Sequence, residues 1–264
     1  MGQRLMGGTV IARLRRLVRP VVRRYTTVTI GRGPAAGMRI GLHLASNNYR
    51  SGDVEAPVQR AVADAMAPGG VFFDIGANVG FFTLVAAGAV DRTGTFVAFE
   101  PRPDVAAALS ANAARNDLTV DVRPVAVGEV DGTTDLLVAD HPGGATIEAS
   151  KAVDTVETVT VDQVTIDRLV VDRGELPVPD VVKIDVEGAE PAVIRGMSAT
   201  LALGRTTVVY EIDAATSEEV EAQYEEVDGL LTRLGYTSRR LDPSYENSGW
   251  QVIHAVARPP SHGG

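Results

Sequence analysis

Three acidic residues directly follow a short apolar run near the middle of the chain. Asp185, Glu187 and Glu190 come immediately after the segment VVKI, residues 181–184. In a doubly wound sheet the carboxyl ends of the central strands open into the ligand cleft, so acids at such a strand end face a reacting group. The pattern predicts Asp185 as the general base or as the group that orients an acceptor hydroxyl, with Glu187 as the second candidate. Glu190 begins a helix, where an acid also stabilises the helix dipole.

A glycine-containing turn occurs earlier, in the segment VFFDIGANVGFFTLVAA, residues 71–87. Asp74 ends a predicted strand, and Gly76 and Gly80 lead into a predicted helix, so the backbone can approach a ligand beside free N–H groups. Asn78 occupies the position where a dinucleotide-binding G-x-G-x-x-G loop has glycine, which disfavours NAD. The loop suits a ligand without pyrophosphate, such as S-adenosylmethionine, and predicts cofactor binding by these four residues.

Two further strand ends extend the predicted cofactor site. Glu100 ends the strand in TFVAFEP and lies 20 residues after Gly80. A carboxylate at that place can accept two hydrogen bonds from a ribose diol. Ala126, in the segment PVAVG at 124–128, ends the next strand where an adenine ring is expected, although a plain core strand explains that segment equally well. Asp185 completes the predicted cofactor-binding set.

The bulk composition is that of an ordinary globular protein, with 264 residues, 45% hydrophobic and 22% charged. The absence of cysteine excludes disulfides, thiolate metal sites and a cysteine nucleophile. Residues 1–52 carry ten arginines and no acid, so the remainder holds all 34 acidic residues against 15 basic ones. Such an acidic body argues against nucleic acid as the main substrate.

The arginine-rich N-terminus predicts an amphipathic helix that is interrupted near Pro20. We expect this helix to pack on the body or on the second subunit of a homodimer, or to attach weakly to an anionic membrane surface. No apolar run reaches the roughly 18 residues of a membrane span, and arginines interrupt any signal peptide. The expected location is the cytoplasm.

From residue 71 onward, strand and helix patterns alternate. Strands are predicted at 71–75, 95–99, 119–126, 181–184 and 207–212, a hairpin at 133–139 and 155–161, and a terminal strand pair near 237–241 and 250–257. Helices are predicted at 80–90, 103–116, 165–170, 190–203 and 217–234. Short strands that alternate with helices predict an α/β fold with a doubly wound, mostly parallel sheet. The last strand pair predicts an antiparallel C-terminal edge hairpin, which is the plan of class I (Rossmann-like) methyltransferases.

Three regions follow from this pattern. Residues 1–55 form the predicted basic N-terminal arm and substrate-side extension, with its helix. Residues 56–258 form the predicted methyltransferase domain. Residues 259–264 form a predicted disordered tail.

The motifs FFDIGANVGFFTLVAA, FEPRPD, TIDRL and VVKIDVEGAEPAVIRGM together resemble the FkbM-type family of S-adenosylmethionine-dependent methyltransferases. The segment NNYRSGDVE, residues 47–55, is similar to a segment that precedes the glycine loop in that family. The resemblance implies methyl transfer, usually to a hydroxyl of a sugar, polyketide or other secondary metabolite. Two alternatives stay open: an NAD-dependent oxidoreductase, and a module that binds the cofactor without catalysis.

One departure from the family pattern concerns VVYEID, where Glu211 is followed by Asp213 and the family often has histidine at that second position. Glu211 is therefore a third catalytic candidate. Together with Asp185, these two acids offer hard oxygen ligands that suit Mg²⁺. No residue is assigned as a metal ligand, however, because carboxylates at strand ends usually face water.

Overall fold

The computed structural model describes residues 26–41, 47–139, 145–146, 155–244 and 251–260. The predicted amphipathic helix, which ends before residue 25, and the last four residues of the predicted tail lie outside these ranges. Within the described ranges, no helix combines the length and apolarity that crossing a bilayer needs. The three predicted regions of the chain stay a prediction.

A seven-stranded sheet forms the centre of the fold. Its parallel strands are β3 (Val71–Ile75), β4 (Thr95–Phe99), β5 (Asp121–Arg123), β10 (Val181–Ile184) and β11 (Thr207–Ala214); β12 (Thr237–Arg240) and β13 (Gln251–Arg258) complete it. The strand order is β12-β13-β11-β10-β3-β4-β5, with β13 antiparallel to both of its neighbours. The predicted mostly parallel sheet with an antiparallel C-terminal edge hairpin is confirmed.

Helices cover both faces of this sheet, because its parallel strands carry apolar side chains on both faces. The helices are α1 (Ala56–Ala65), α2 (Phe81–Ala89), α3 (Pro103–Ala114), α4 (Glu190–Arg195), α5 (Ser198–Ala202) and α6 (Ser217–Arg233), with a 3₁₀ turn at Asn47–Arg50 and a π-helical turn at Arg168–Asp172. One apolar layer packs α1 and α2 against the face of the sheet that carries Val209. The other packs α4 and α6 against the opposite face, which carries Tyr210.

Two smaller sheets flank the central one. The first has the order β6-β9-β7-β8, from β6 (Ala126–Val127), β7 (Gly132–Ala139), β8 (Ala145–Thr146) and β9 (Thr155–Val164). Its β7–β9 pairing confirms the predicted hairpin. The second pairs β1 (Thr27–Thr29) with β2 (Arg39–Gly41). Asn112 of α3 and Asn116 just after it hold β2, since their amide oxygens accept bonds from the Gly41 and Arg39 N–H groups at 2.8 and 2.7 Å.

The strand predicted at 119–126 is wrong as a single element. The chain leaves the central sheet after β5, passes Pro124 and enters the four-stranded sheet as β6, which pairs with β9. Proline cannot donate a ladder hydrogen bond, which suits it to this exchange between sheets. Ala126 therefore lies where the chain crosses from one sheet to the other.

The helix predicted at 190–203 is also wrong as a single element, because it divides into α4 and α5. The backbone N–H of Asp167 donates to the Gly196 carbonyl at 3.0 Å, and its carboxylate accepts from the Ala199 and Thr200 N–H groups at 2.8 and 2.7 Å. Asp167 thus caps α5, which begins within the segment predicted as one helix. The break comes from a residue far away in sequence, so the helical periodicity continues through it.

Gly196 also packs backbone to backbone, which gives a test of this junction. A Cβ at Gly196 would lie 1.9 Å from the Gly128 carbonyl oxygen, whereas the nearest atom at Gly229 of α6 is 3.7 Å away. We expect Gly196→Ala to destabilise the fold by about 2 kcal/mol or more through overpacking. Gly229→Ala, the matched control, should stabilise it by about 0.5–1 kcal/mol. Urea unfolding measures both, and equal stability of the two variants would contradict the packing.

Candidate functional site

A cleft opens at the carboxyl ends of the central strands. It occupies about 760 Å³, counted out to its open mouth, and its walls are mostly apolar. The chain runs from β3 outward to β4 and β5 and then returns on the other side to β10, so the strand order reverses between β3 and β10. Such a reversal is where open α/β sheets bind ligands. Of the predicted site residues, those that line the cleft are Gly76, Asn78, Glu100, Ala126, Asp185 and Glu187.

The glycine loop passes between β4 and β10 with no room for a side chain. The N–H groups of Gly76 and Ala77 both donate to the Phe99 carbonyl at 3.0 Å. Gly76 has a φ of +77°, and a Cβ there would lie 1.8 Å from the Asp185 carbonyl oxygen. Only glycine fits this position. The glycine loop and the acidic strand end are therefore in direct backbone contact.

Asn78 and Glu100 form the floor of the cleft. Asn78 adopts a left-handed φ of +48°, a conformation that asparagine tolerates, and its N–H donates to Glu100 Oε2 at 2.9 Å. The Arg102 N–H donates to Glu100 Oε1, also at 2.9 Å. Burial raises the pKa of Glu100 to about 7, although these two backbone bonds oppose the shift. Each carboxylate oxygen keeps a second lone pair, so Glu100 is held in place with acceptor capacity for a ligand.

Asp74 lies beneath the cleft and is not part of its lining. Its side chain is 1% exposed, and its Oδ2 accepts a 2.6 Å bond from the Thr83 hydroxyl of α2. Burial raises the pKa of Asp74. Gly80, at a φ of +86°, starts α2 against Leu109, and it also lies outside the lining. The cofactor contacts expected of these two residues stay predictions.

The loop after β10 is held by Glu190. Its Oε1 accepts bonds from the N–H groups of Val186 and Gly188, each at 3.1 Å, so this acid has a structural role at the start of α4. Glu187 reaches the cleft from a left-handed backbone conformation with a φ of +54°. Burial, and next the charge of Asp185, raises the pKa of Glu187. This side chain therefore keeps its proton to a higher pH than an ordinary carboxyl group.

A row of charged side chains crosses the sheet beside the cleft. Lys183 is in register with Asp74 of β3, and Glu211 of β11 is in register with His254 of β13. Asp185 follows Ile184, which pairs with Tyr210, so Asp185 lies level with Glu211. Because side chains alternate along strands, these groups share the face that α1 and α2 cover.

Lys183 is the buried cation of this row. Its side chain is 2% exposed, and its Nζ lies 2.5 Å from Asp185 Oδ2 and 4.5 Å from the centre of the Phe82 ring. Burial alone would lower the pKa of Lys183, but the charges of Asp185, Glu55, Glu211 and Asp74 together raise it. The ammonium therefore stays charged and faces carboxylates from several elements.

Glu211 pairs with a histidine that the sequence left unassigned. His254 Nε2 lies 2.6 Å from Glu211 Oε2 and 3.8 Å from Glu55 Oε2. Position 213 is Asp213, where the resemblance leads one to expect histidine, and an imidazole reaches Glu211 from the adjacent strand instead. His43, His141 and His262, the other histidines, lie outside the described residues.

The three carboxylates that the sequence suggested for Mg²⁺, those of Asp185, Glu211 and Asp213, do not form the group of possible metal ligands in this structure. Among the described residues, the side chains that bring ligand atoms within 4.8 Å of one another are Glu55, Glu211 and His254. Asp185 and Asp213 are not members of this group. Glu55 belongs to the quoted segment NNYRSGDVE, so a local signal for it existed. A lone histidine in a strand offered none for His254.

The sequence profile described as Methyltransferase FkbM domain matches residues 74–238. A protein named 31-O-demethyl-FK506 methyltransferase FkbM, from Streptomyces tacrolimicus, is 30% identical over 73% of this chain and 81% of its own length. A hexuronic acid methyltransferase named AglP, from Haloferax volcanii, is 31% identical over 56% of this chain and 58% of its own length.

A solved structure gives the same fold at lower identity. The methyltransferase FkbM from Methylobacillus flagellatus aligns with a TM-score of 0.51 and 14% identity. The alignment covers 95% of this chain and 60% of that protein. The likeness supports the doubly wound architecture and nothing finer.

The buried ion pair gives a test of the charged row. Lys183→Met leaves the surrounding carboxylates without their cation, which should destabilise the fold by about 3–5 kcal/mol. Lys183→Met combined with Asp185→Asn should recover part of that loss, because the variant removes both partners. Urea unfolding at neutral pH measures the set, with exposed Glu225→Gln as the control. A double variant that loses as much stability as Lys183→Met and Asp185→Asn lose together, each measured alone, would show that the two residues are not coupled.

Proposed function

Because the chain belongs to the FkbM methyltransferase family, we propose that it methylates a hydroxyl group of a small molecule with S-adenosylmethionine as the donor. The acceptor class we infer is a sugar or a secondary metabolite, since the two relatives are named for methylating 31-O-demethyl-FK506 and a hexuronic acid. The observation that carries the proposal is Glu100, fixed by two backbone N–H groups at the end of β4 in the cleft where the strand order reverses.

The cleft suits the parts of this donor. Glu100 is the acceptor for the ribose diol, and Ala126 with its apolar neighbours is the wall for the adenine. The loop from Gly76 to Asn78 borders the cleft, and at Gly76 the Asp185 backbone leaves no space for a Cβ. When bound, the donor supplies a methyl group on a positively charged sulfur. The remaining task of the protein is to align the acceptor and to remove its proton.

Alignment and proton removal are proposed for the acids of the charged row. Lys183 holds one oxygen of Asp185 by a 2.5 Å ion pair, so the carboxylate is fixed and its other oxygen can orient a hydroxyl. Glu187 and Glu211 are the further candidates for the proton acceptor. Alignment of reactants can supply several kcal/mol, and a positioned base about 10²–10⁴-fold in rate.

An NAD-dependent oxidoreductase is disfavoured as an alternative. Asn78 stands where a dinucleotide-binding loop has glycine, and its amide oxygen accepts a 2.8 Å bond from the Val79 N–H of the same loop. The second alternative is a module that binds the donor without catalysis. Such a protein would bind the donor but methylate no acceptor.

Isothermal titration with S-adenosylhomocysteine tests the donor. We expect Glu100→Gln to weaken binding about 10–100-fold, because hydrogen bonds to a charged acceptor contribute about 1.5–3 kcal/mol. Exposed Glu225→Gln should bind like the unmodified protein. A folded, unmodified protein that fails to bind would refute the proposal, and parallel titrations with NAD and with Mg²⁺ present would test those ligands.

The same titration has a predicted pH dependence. The ionised form of Glu100 accepts the ribose hydroxyls, and burial raises its pKa to about 7. Affinity should therefore be full above pH 7 and should fall as the pH drops below 7 and the carboxyl group takes up a proton. Glu100→Gln should bind with little dependence on pH over the same range. A parallel pH dependence in both proteins would assign the effect to another group.

Substitution of Asp185 separates chemistry from binding. Asp185→Ala should lower turnover by about 10²-fold or more while the affinity for S-adenosylhomocysteine stays largely intact. Hydroxylated sugar acids and hydroxylated natural products, screened for methylation by mass spectrometry, supply the acceptor for this assay. Loss of cofactor binding in a folded Asp185→Ala protein would contradict this division of roles.

A further inference from the structure

Glu211 and His254 form one unit across two strands. They are partners in the antiparallel register of β11 and β13, and Glu211 Oε2 lies 2.6 Å from His254 Nε2. The Glu211 side chain is 15% exposed and the His254 side chain only 2%. The carboxylate is therefore the more exposed member of the unit, and it lies level with Asp185, which lines the cleft.

The neighbouring charges argue against reading this unit as a cation site. Glu55, Glu211 and His254 have the ligand types of a metal centre. The Lys183 ammonium, however, is close enough that Glu55 and Glu211 both raise its pKa. Positive charge already compensates these carboxylates, and a divalent ion would be repelled by the ammonium.

We propose that His254 is a positioning residue that fixes the Glu211 carboxylate and keeps it ionised, so that Glu211 takes the proton of the acceptor hydroxyl. This inference rests on the proposed function. In the step, the acceptor O–H bond breaks as the new O–CH₃ bond forms and the C–S bond of the donor breaks. The sulfur keeps the electron pair of that bond, and the proton passes to the Glu211–His254 unit.

Several other described groups bear on the titration of the unit, directly or through its neighbours. They are Tyr49 of the 3₁₀ turn, Glu55 at the start of α1, Asp74 of β3, Lys183 and Asp185 at the end of β10, Glu187 in the following loop, and Asp213 of β11. Burial and then Asp185 raise the pKa of Glu211, and the hydrogen bond from His254 lowers it. Burial alone would lower the pKa of His254, but Glu211 first and Glu55 next raise it. Each partner therefore stabilises the charged form of the other.

Histidine NMR on the full chain tests the pairing without any substrate. Long-range ¹H–¹⁵N spectra follow the imidazoles from pH 5 to pH 9, and His254→Gln assigns the signal. We expect His254 to titrate above its ordinary pKa, and this value to fall by about 1–3 units in Glu211→Gln. Glu55→Gln should shift it less, since Glu55 lies farther away, and exposed Glu225→Gln should leave it unchanged. An unchanged titration in folded Glu211→Gln overturns the proposal.

The pH profile of turnover tests the role. Without the imidazole the pKa of Glu211 rises, so His254→Leu should lose about 10–100-fold in rate at neutral pH and recover part of it at pH 9. His254→Gln, which retains an amide donor, should lie between His254→Leu and the unmodified protein. Affinity for S-adenosylhomocysteine should be unchanged in both variants. A purely structural role would lower the rate equally at all pH values, and that result overturns the proposal.

Two further outcomes separate the possibilities. If the unmodified protein fails to bind S-adenosylhomocysteine, the proposed function fails with it, while the NMR titration still reports on the pair. If stoichiometric Mn²⁺ broadens the His254 signal selectively and Glu211→Gln abolishes the effect, the unit is a metal site and the positioning role is wrong.

Discussion

A single buried ammonium, that of Lys183, makes it physically reasonable for a core strand to end in acids. Moving ions out of water costs several kcal/mol each, and an unpaired buried carboxylate would take up a proton instead. Lys183 is 2% exposed and lies 2.5 Å from Asp185, with Glu55, Glu211 and Asp74 also acting on it. One cation in the centre of the sheet thus supports acids from four separate elements.

The strand that carries this cation also borders the glycine loop. Gly76 lies against the Asp185 carbonyl so closely that a Cβ would be 1.8 Å from its oxygen. Phe99 accepts both loop N–H bonds and is followed by Glu100. Glu100, the loop and the acidic strand end are therefore linked through contacts of the backbone. A shift of any one of them would displace the others, which suits a reaction that depends on alignment.

Local patterns predicted the parts of the site that lie within one strand and the turn after it. Glu100, the Gly76–Gly80 loop and the acids from Asp185 onward each follow a strand, so their position at the carboxyl edge was readable. The partners of Glu211 were not readable in this way. His254 reaches it through an antiparallel register 43 residues away, and Glu55 reaches it from the start of a helix on the covering layer.

The same limit explains the two errors in the elements. Asp167 divides the predicted helix at 190–203 by capping it from another part of the chain. The exchange of strands at Pro124 depends on which sheet has an open edge, and periodicity carries no information on that. Asp74 illustrates a further limit. Its place near a strand end was predicted, but its burial beside Lys183 depends on the pairing of β3 with β10, which are far apart in sequence.

A crystal structure of the protein with S-adenosylhomocysteine tests the central claim most directly. The account predicts that the ribose diol binds the Glu100 carboxylate, that the adenine lies along Ala126, and that the sulfur faces the side of the cleft where Asp185 lies. The claim would be contradicted by a ligand bound elsewhere, or by a ribose that makes no contact with Glu100.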